Sequence, residues 1–232
     1  MIFLLLLVGF GGIGGVSSLF GNPWIEVELG LVFTHNNTIQ IPKEGGTRFN
    51  LADTFEQDPT LAIRSRIGYK LLDRHSLSVL ISPLTLYYSG TFEQDTSFAG
   101  ETFPKDTPLE ATFKFNSYRL TYRYDLLQGK GKVLSLGFTG KVRDAEITLE
   151  ANGVKGTKTN IGFVPLIHLY GYYELPNSLF LLLIADALAA PRGRAEDVLV
   201  ALGYKIHPDV WVRIGYRFLE GGADPKEVYN LA

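Results

Sequence analysis

Residues 24–33 read WIEVELGLVF, with two glutamates two residues apart inside an oily run. In an extended chain successive side chains point to opposite faces. Ile25, Val27, Leu29, Leu31 and Phe33 then line one side, while Glu26 and Glu28 share the other. One face suits hydrocarbon and the other suits water or ion pairs. LAIRSRIGYKLL (61–72) repeats the division, with Leu61, Ile63, Ile67, Tyr69 and Leu71 against Arg64, Arg66 and Lys70. In residues 115–127, Tyr118, Leu120, Tyr122 and Tyr124 oppose Ser117, Arg119, Thr121 and Arg123. Residues 133–150 set Leu134, Leu136, Phe138 and Val142 against Ser135, Thr139, Lys141 and Arg143, and the parity flips near Asp144, which predicts a bulge there. Residues 210–220 set Val210, Val212, Ile214, Tyr216 and Phe218 against Arg213 and Arg217.

Nine such segments can be counted: 24–34, 61–72, 76–88, 115–127, 133–150, 160–175, 179–190, 198–206 and 210–220. Long polar loops and turns of a few residues alternate between them, the spacing of an up-and-down transmembrane β-barrel. The fold class expected is therefore all-β, an antiparallel barrel over 22–232. Bacterial single-chain barrels close with an even strand number, so nine predicts about ten strands in the full protein, with the last missing or incomplete after EGGADPKEVYNLA. The alternative is that GYRF is the true last strand and an earlier one is miscounted. Pro83 and Pro165 fall inside strands and each calls for a bulge. Tyr69, Tyr124, Tyr173 and Tyr204 at turn-side ends, and Phe33, Tyr87, Phe113 and Phe218 at loop-side ends, predict two aromatic girdles. Trp24 and Trp211 have the wrong parity for either.

The 232 residues are 46% hydrophobic and 20% charged, as a folded chain requires, and a net charge of -2 gives no pull toward nucleic acid. The absence of cysteine excludes disulfides, thiolate metal sites and cysteine nucleophiles. No phosphate loop, metal-ligand spacing or HExxH helix is present, so no cofactor or metal is expected. Residues 1–21, MIFLLLLVGFGGIGGVSSLFG, read as a signal peptide ending near Ser18 or Gly21, although no Lys or Arg precedes the apolar core. A retained anchor is the alternative, and six glycines weigh against it.

Charge on the polar face predicts a lumen in which Glu26 and Glu28 meet Arg64, Arg66, Arg119, Arg123, Lys141, Arg143, Arg213 and Arg217. The network serves either as a plug that locks register or as a charge ring in a narrow pore, and side chains fill small barrels, which favours the plug. A hydrolytic site at the rim is the rival reading, since His35 would lie near Asp186, Glu196, Asp197 and Glu220 if the strand tops are level. His168 falls on the lumen face beside Tyr170 as a structural histidine. PRGR at 191–194 is a loop able to touch lipopolysaccharide phosphates.

TFKFNSYRLTYRY, GKVRDAEI, GFVPLIHLYGYYEL, ADALAAPRGRAED and GYRFLEGGADPKEVYN resemble a group of small bacterial outer-membrane β-barrel proteins of unassigned activity. Members of that group continue past EVYN with one more aromatic strand. The resemblance implies an outer-membrane location, outer-membrane lipid, lipopolysaccharide and the barrel-assembly machinery as partners, and no catalytic residues. Three functions follow as expectations: a structural, interaction or narrow-pore barrel, a rim-active hydrolase of lipid A or peptide, and a soluble lipocalin-like barrel that binds an apolar ligand.

Overall fold

The computed structural model describes residues 2–5, 10–11, 22–190, 193–223 and 229–231. Among them, nine wall strands run in sequence order, each antiparallel to the next, and curl into a half-barrel. They are β1 (Asn22–Thr34), β2 (Thr60–Leu72), β3 (His75–Ser82, continued by Thr85–Gly90), β4 (Leu109–Gly129), β5 (Lys132–Ala151), β6 (Val154–Glu174), β7 (Leu179–Ala190), β8 (Gly193–His207) and β9 (Val210–Ala223). The apolar segment 179–190, whose composition also suits a helix, is a strand whose inner face carries Phe180, Leu182, Ile184 and Asp186. No helix among the described residues is long and apolar enough to cross a membrane.

The two edges of the wall, β1 and β9, both pair with the short strand Ile2–Leu5, whose register runs against 31–34 of one and 216–219 of the other. Phe10–Gly11 pairs with the same two strands further along. The rest of the expected signal segment and residues 191–192 and 224–228 lie outside the described residues.

Polarity along the wall is inverted relative to a water-soluble protein. The outward face is apolar and open, as at Ile67, Leu120, Phe138, Phe163, Val200 and Ile214. Its inward neighbours in sequence, Arg66, Arg119, Thr121, Thr139, Ala201 and Arg213, are buried.

The inner face changes character with height. On β4 it runs Leu109, Ala111, Phe113, Phe115 and then Ser117, Arg119, Thr121; on β5 it runs Ala151, Leu149, Ile147 and then Lys141, Thr139. The upper stretch packs an apolar cap at the loop end. Chain 35–59 contributes Thr38–Gln40, Phe49–Asn50, the helical turn Leu51–Thr54 and Phe55–Gln57, and Thr96–Phe98 with Glu101–Phe103 forms a small hairpin whose Phe98 and Phe103 lie against Gly156 of β6. Phe49 meets Phe92 and Phe98 edge-on at 5.1 and 6.1 Å, and Phe55 meets Phe92 at 5.1 Å. Asn50 caps the helical turn by accepting from the Ala52 N–H.

This layering corrects four expectations. No register shift occurs at Asp144, which opposes Asn116 and Ile161 in unbroken ladders. The apparent parity flip is the change from charged interior to apolar cap on one continuous face. The irregularity in that hairpin lies between Asp125 and Leu127. Phe113 is an inner cap residue and no part of an outer girdle. Pro165 needs no bulge: it opposes Gly140 without a register shift, and β6 pairs with β7 only from Ile167 onward, so on that side there is no ladder to break. At Pro83 the strand is interrupted, and the Asn116 side chain accepts from the Leu84 N–H at 3.1 Å in place of a backbone carbonyl.

Residues 151–154, ANGV, form the hairpin between β5 and β6. Asn152 (φ 48°) and Gly153 (φ 80°) take up the left-handed conformations that a two-residue turn between twisted strands requires. The strands consequently extend further into the loop side than the segments 133–150 and 160–175 suggest.

Candidate functional site: a buried charge belt and a turn-side vestibule

Alternation places a charged side chain on the inner face of almost every wall strand at one height, and the curl brings them together. Glu28 on β1 meets Arg64 of β2 at 3.4 Å and Arg217 of β9 at 2.8 Å. Arg213 of β9 bonds Glu26 at 3.3 Å and also contacts Glu28. Asp197 on β8 gathers Arg64 at 3.1 Å, Arg119 at 2.6 Å and Arg217. Asp186 on β7 accepts from Arg119 at 2.7 Å and from Thr139 Oγ1 at 2.8 Å, and His168 Nδ1 lies 2.8 Å from it. Hydroxyls take three further donors: Ser82 accepts from Arg64, Ser78 from Arg66 and Ser117 from Arg119.

Eight residues of the expected lumen network, Glu26, Glu28, Arg64, Arg66, Arg119, Lys141, Arg213 and Arg217, are buried on this inner face. Arg123 and Arg143 are half-buried and sit away from the belt: Arg123 lies over the Tyr170 ring at 3.9 Å, and Arg143 donates to Asn160 at 2.5 Å. Two acids central to the belt, Asp186 and Asp197, were expected at the rim beside His35. They are 1% and 2% exposed and level with Glu28, because β7 and β8 continue upward beyond them. Their parity, shared with Ile184 and Leu199, was the available signal. Of the rest of that cluster, His35 is exposed at the loop end of β1, Glu196 is half-buried opposite Glu220, and Glu220 pairs with Arg194. No hydrolytic constellation is assembled from these five.

Chemically the belt can hold strands in register and block passage. Glu28 and Asp197, each serving three guanidiniums, repay part of their desolvation, and strands slipped by one residue would turn these charges outward. His168 borders a void of about 10 Å³ beside Arg66, Ser78 and Thr121, no larger than a water molecule requires. No grouping of three or more His, Cys, Asp or Glu side chains among the described residues could hold a metal ion.

Below the belt the interior opens. A cavity of about 530 Å³ lies at the turn end, floored by Glu26 and Arg213 and bounded by Pro208 and Asp209 of the β8–β9 turn. Trp24, Tyr170, Tyr172, Phe180 and Trp211 line it, together with Lys70, Arg123 and Lys205. Two of its rings lie on glycines that directly oppose them in register. A Cβ at Gly68 would fall 2.0 Å from the Trp24 indole, and one at Gly203 would fall 2.0 Å from the Phe180 ring. The composition of β2 and β8 thus makes room for the aromatic wall.

No protein-family model matches the chain, and no curated protein is significantly similar to it.

Proposed function

We propose that the protein is an integral outer-membrane β-barrel, closed along the β1–β9 seam, whose interior is plugged and which serves a structural or interaction role. The observation that carries this reading is the inversion of polarity: Phe138 is 71% exposed on the outward face while its sequence neighbour Thr139 is 1% exposed among buried arginines and aspartates. In water an outer face of this kind would be a large contiguous apolar patch, which soluble monomers rarely carry. In a bilayer it is the required surface, and the closed sheet satisfies its own backbone groups. Ion pairs between Glu26 or Glu28 on β1 and Arg213 or Arg217 on β9 support closure, because they join the two edge strands from inside.

Between plug and pore, the belt favours the plug. Its side chains are almost inaccessible, and the apolar cap covers the loop end. A soluble lipocalin-like barrel would need an apolar interior and a polar exterior, the opposite of this arrangement. The partners that follow are outer-membrane lipid, lipopolysaccharide at the outer leaflet and the barrel-assembly machinery.

The test is fractionation of the expressed protein followed by gel electrophoresis with and without boiling. Recovery with outer membranes and a changed mobility when unheated is the expected result. Recovery as a soluble monomer without detergent would overturn the reading.

A further inference from the structure

We propose that the turn-side vestibule is a binding site for a small organic anion with a planar apolar body. Three observations converge on it. The first is shape: a cavity of about 530 Å³ falls within the range of small-molecule sites, and one wall is a continuous aromatic surface. Tyr172 packs against Phe180 at 5.2 Å, and Phe180 meets Trp211 edge-on at 6.0 Å.

The second observation is which charges solvent can reach. Lys70, Arg123 and Lys205 are 34%, 18% and 32% exposed, whereas the acids on the inner wall, Asp125 and Glu26, are 4% and 11% exposed. Lys70 and Arg123 share Asp125 at 3.9 and 3.7 Å, longer than a charge-assisted hydrogen bond, so that a better-placed acceptor gains on it. Lys205 holds Glu174 at 2.9 Å outside the cavity lining, and Asp209 stands at the mouth. The third is the field from behind. The interior buries six basic side chains (Arg64, Arg66, Arg119, Lys141, Arg213, Arg217) with five carboxylates (Glu26, Glu28, Asp125, Asp186, Asp197), a formal surplus of one positive charge inside low-dielectric walls. An acid group placed among Lys70, Arg123 and Lys205 is favoured by that field, and its planar body then lies along the aromatic wall.

The chain has two tryptophans, Trp24 and Trp211, and both line the cavity, so tryptophan emission reports on this site. Purified protein in non-ionic detergent is titrated with benzoate, and in parallel with benzyl alcohol, benzylamine and decanoate. The expected result is a saturable emission change with benzoate, weakened by added salt and at least about tenfold weaker for the neutral and cationic analogues, as loss of charge-assisted hydrogen bonds implies. The double variant Arg123→Gln, Lys205→Gln should weaken benzoate binding by a similar factor while its unheated gel mobility stays that of the folded protein. No saturable change, an equal response to benzylamine, or an unaffected double variant would overturn the proposal. Tighter binding of decanoate than of benzoate would overturn the planar body. Folded mobility without benzoate binding would remove this site and leave the barrel reading standing.

Discussion

Arg119 and Asp197 meet at 2.6 Å although β4 and β8, which carry them, stand four strands apart along the sheet. A flat sheet would separate them by roughly four inter-strand spacings of about 4.8 Å. Their contact crosses the interior, so the belt is a set of chords spanning the curl. Asp197 also serves Arg64 and Arg217, so that it and Glu28 are the two acids on each of which three guanidiniums converge.

Removal of Asp197 should therefore be costly. Asp197→Ala takes one carboxylate from three buried guanidiniums, leaving Glu28 to Arg64 and Arg217 and Asp186 to Arg119, and a loss of about 3–5 kcal/mol is expected from the buried positive charge no longer compensated. Urea unfolding in detergent micelles measures it. Glu220→Gln, at a pair whose Arg194 is half exposed, should change the same midpoint by less than about 1 kcal/mol. Equal effects at the two sites would contradict the belt's role.

The aromatic wall of the vestibule depends on absent side chains. Gly203→Ala drives a methyl into the Phe180 ring, and Gly68→Ala does the same to Trp24. Each should cost about 1–3 kcal/mol by overpacking, and Gly68→Ala should also shift tryptophan emission in the folded protein. Thermal loss of the unheated gel band gives the first, and fluorescence the second.

The cap should be separable from the wall. Phe98 is fully buried against Phe49 and lies in the loop hairpin above the belt. Phe98→Ala should loosen 91–108, seen as faster proteolytic cleavage there, with mobility of the unheated band unchanged. The loss expected for a buried Phe is about 3–5 kcal/mol, confined here to the cap. Cleavage unchanged from that of the parent would show that the hairpin does not depend on this core.

A plugged interior makes an electrical prediction. Reconstituted in planar bilayers, the protein should give no steady conductance, and the double variant Arg119→Ala, Arg217→Ala should give discrete openings, since both side chains fill the belt. Steady conductance of the parent protein would make the belt a selective ring instead.

The faces of the strands were readable because alternation is local: each Arg or Glu declares its side through its two neighbours. Height was not, since it depends on how far each strand is sheared past the next. That is why Asp186 and Asp197 were expected beside His35 and instead sit level with Glu28, and why the apolar inner face at Ile147 and Leu149 resembled a bulge. The cap was hidden for a related reason. Phe49, Phe92 and Phe98 lie in polar loops whose pairing is set by contacts far away in sequence. Within the vestibule, the Trp24–Gly68 and Phe180–Gly203 contacts are cross-strand pairs that become visible only once register is known.

The central claim is that the outward apolar face contacts lipid. The chain has no cysteine, so a single Phe138→Cys variant carries one unambiguous label site, and Ser178→Cys in the β6–β7 turn provides the control. In vesicles, a fluorophore at position 138 should be strongly quenched by lipids brominated along the acyl chain, and the thiol should resist a membrane-impermeant maleimide that modifies position 178 in detergent-opened samples. Rapid modification of position 138 by that reagent, with no quenching by brominated lipid, would contradict the account.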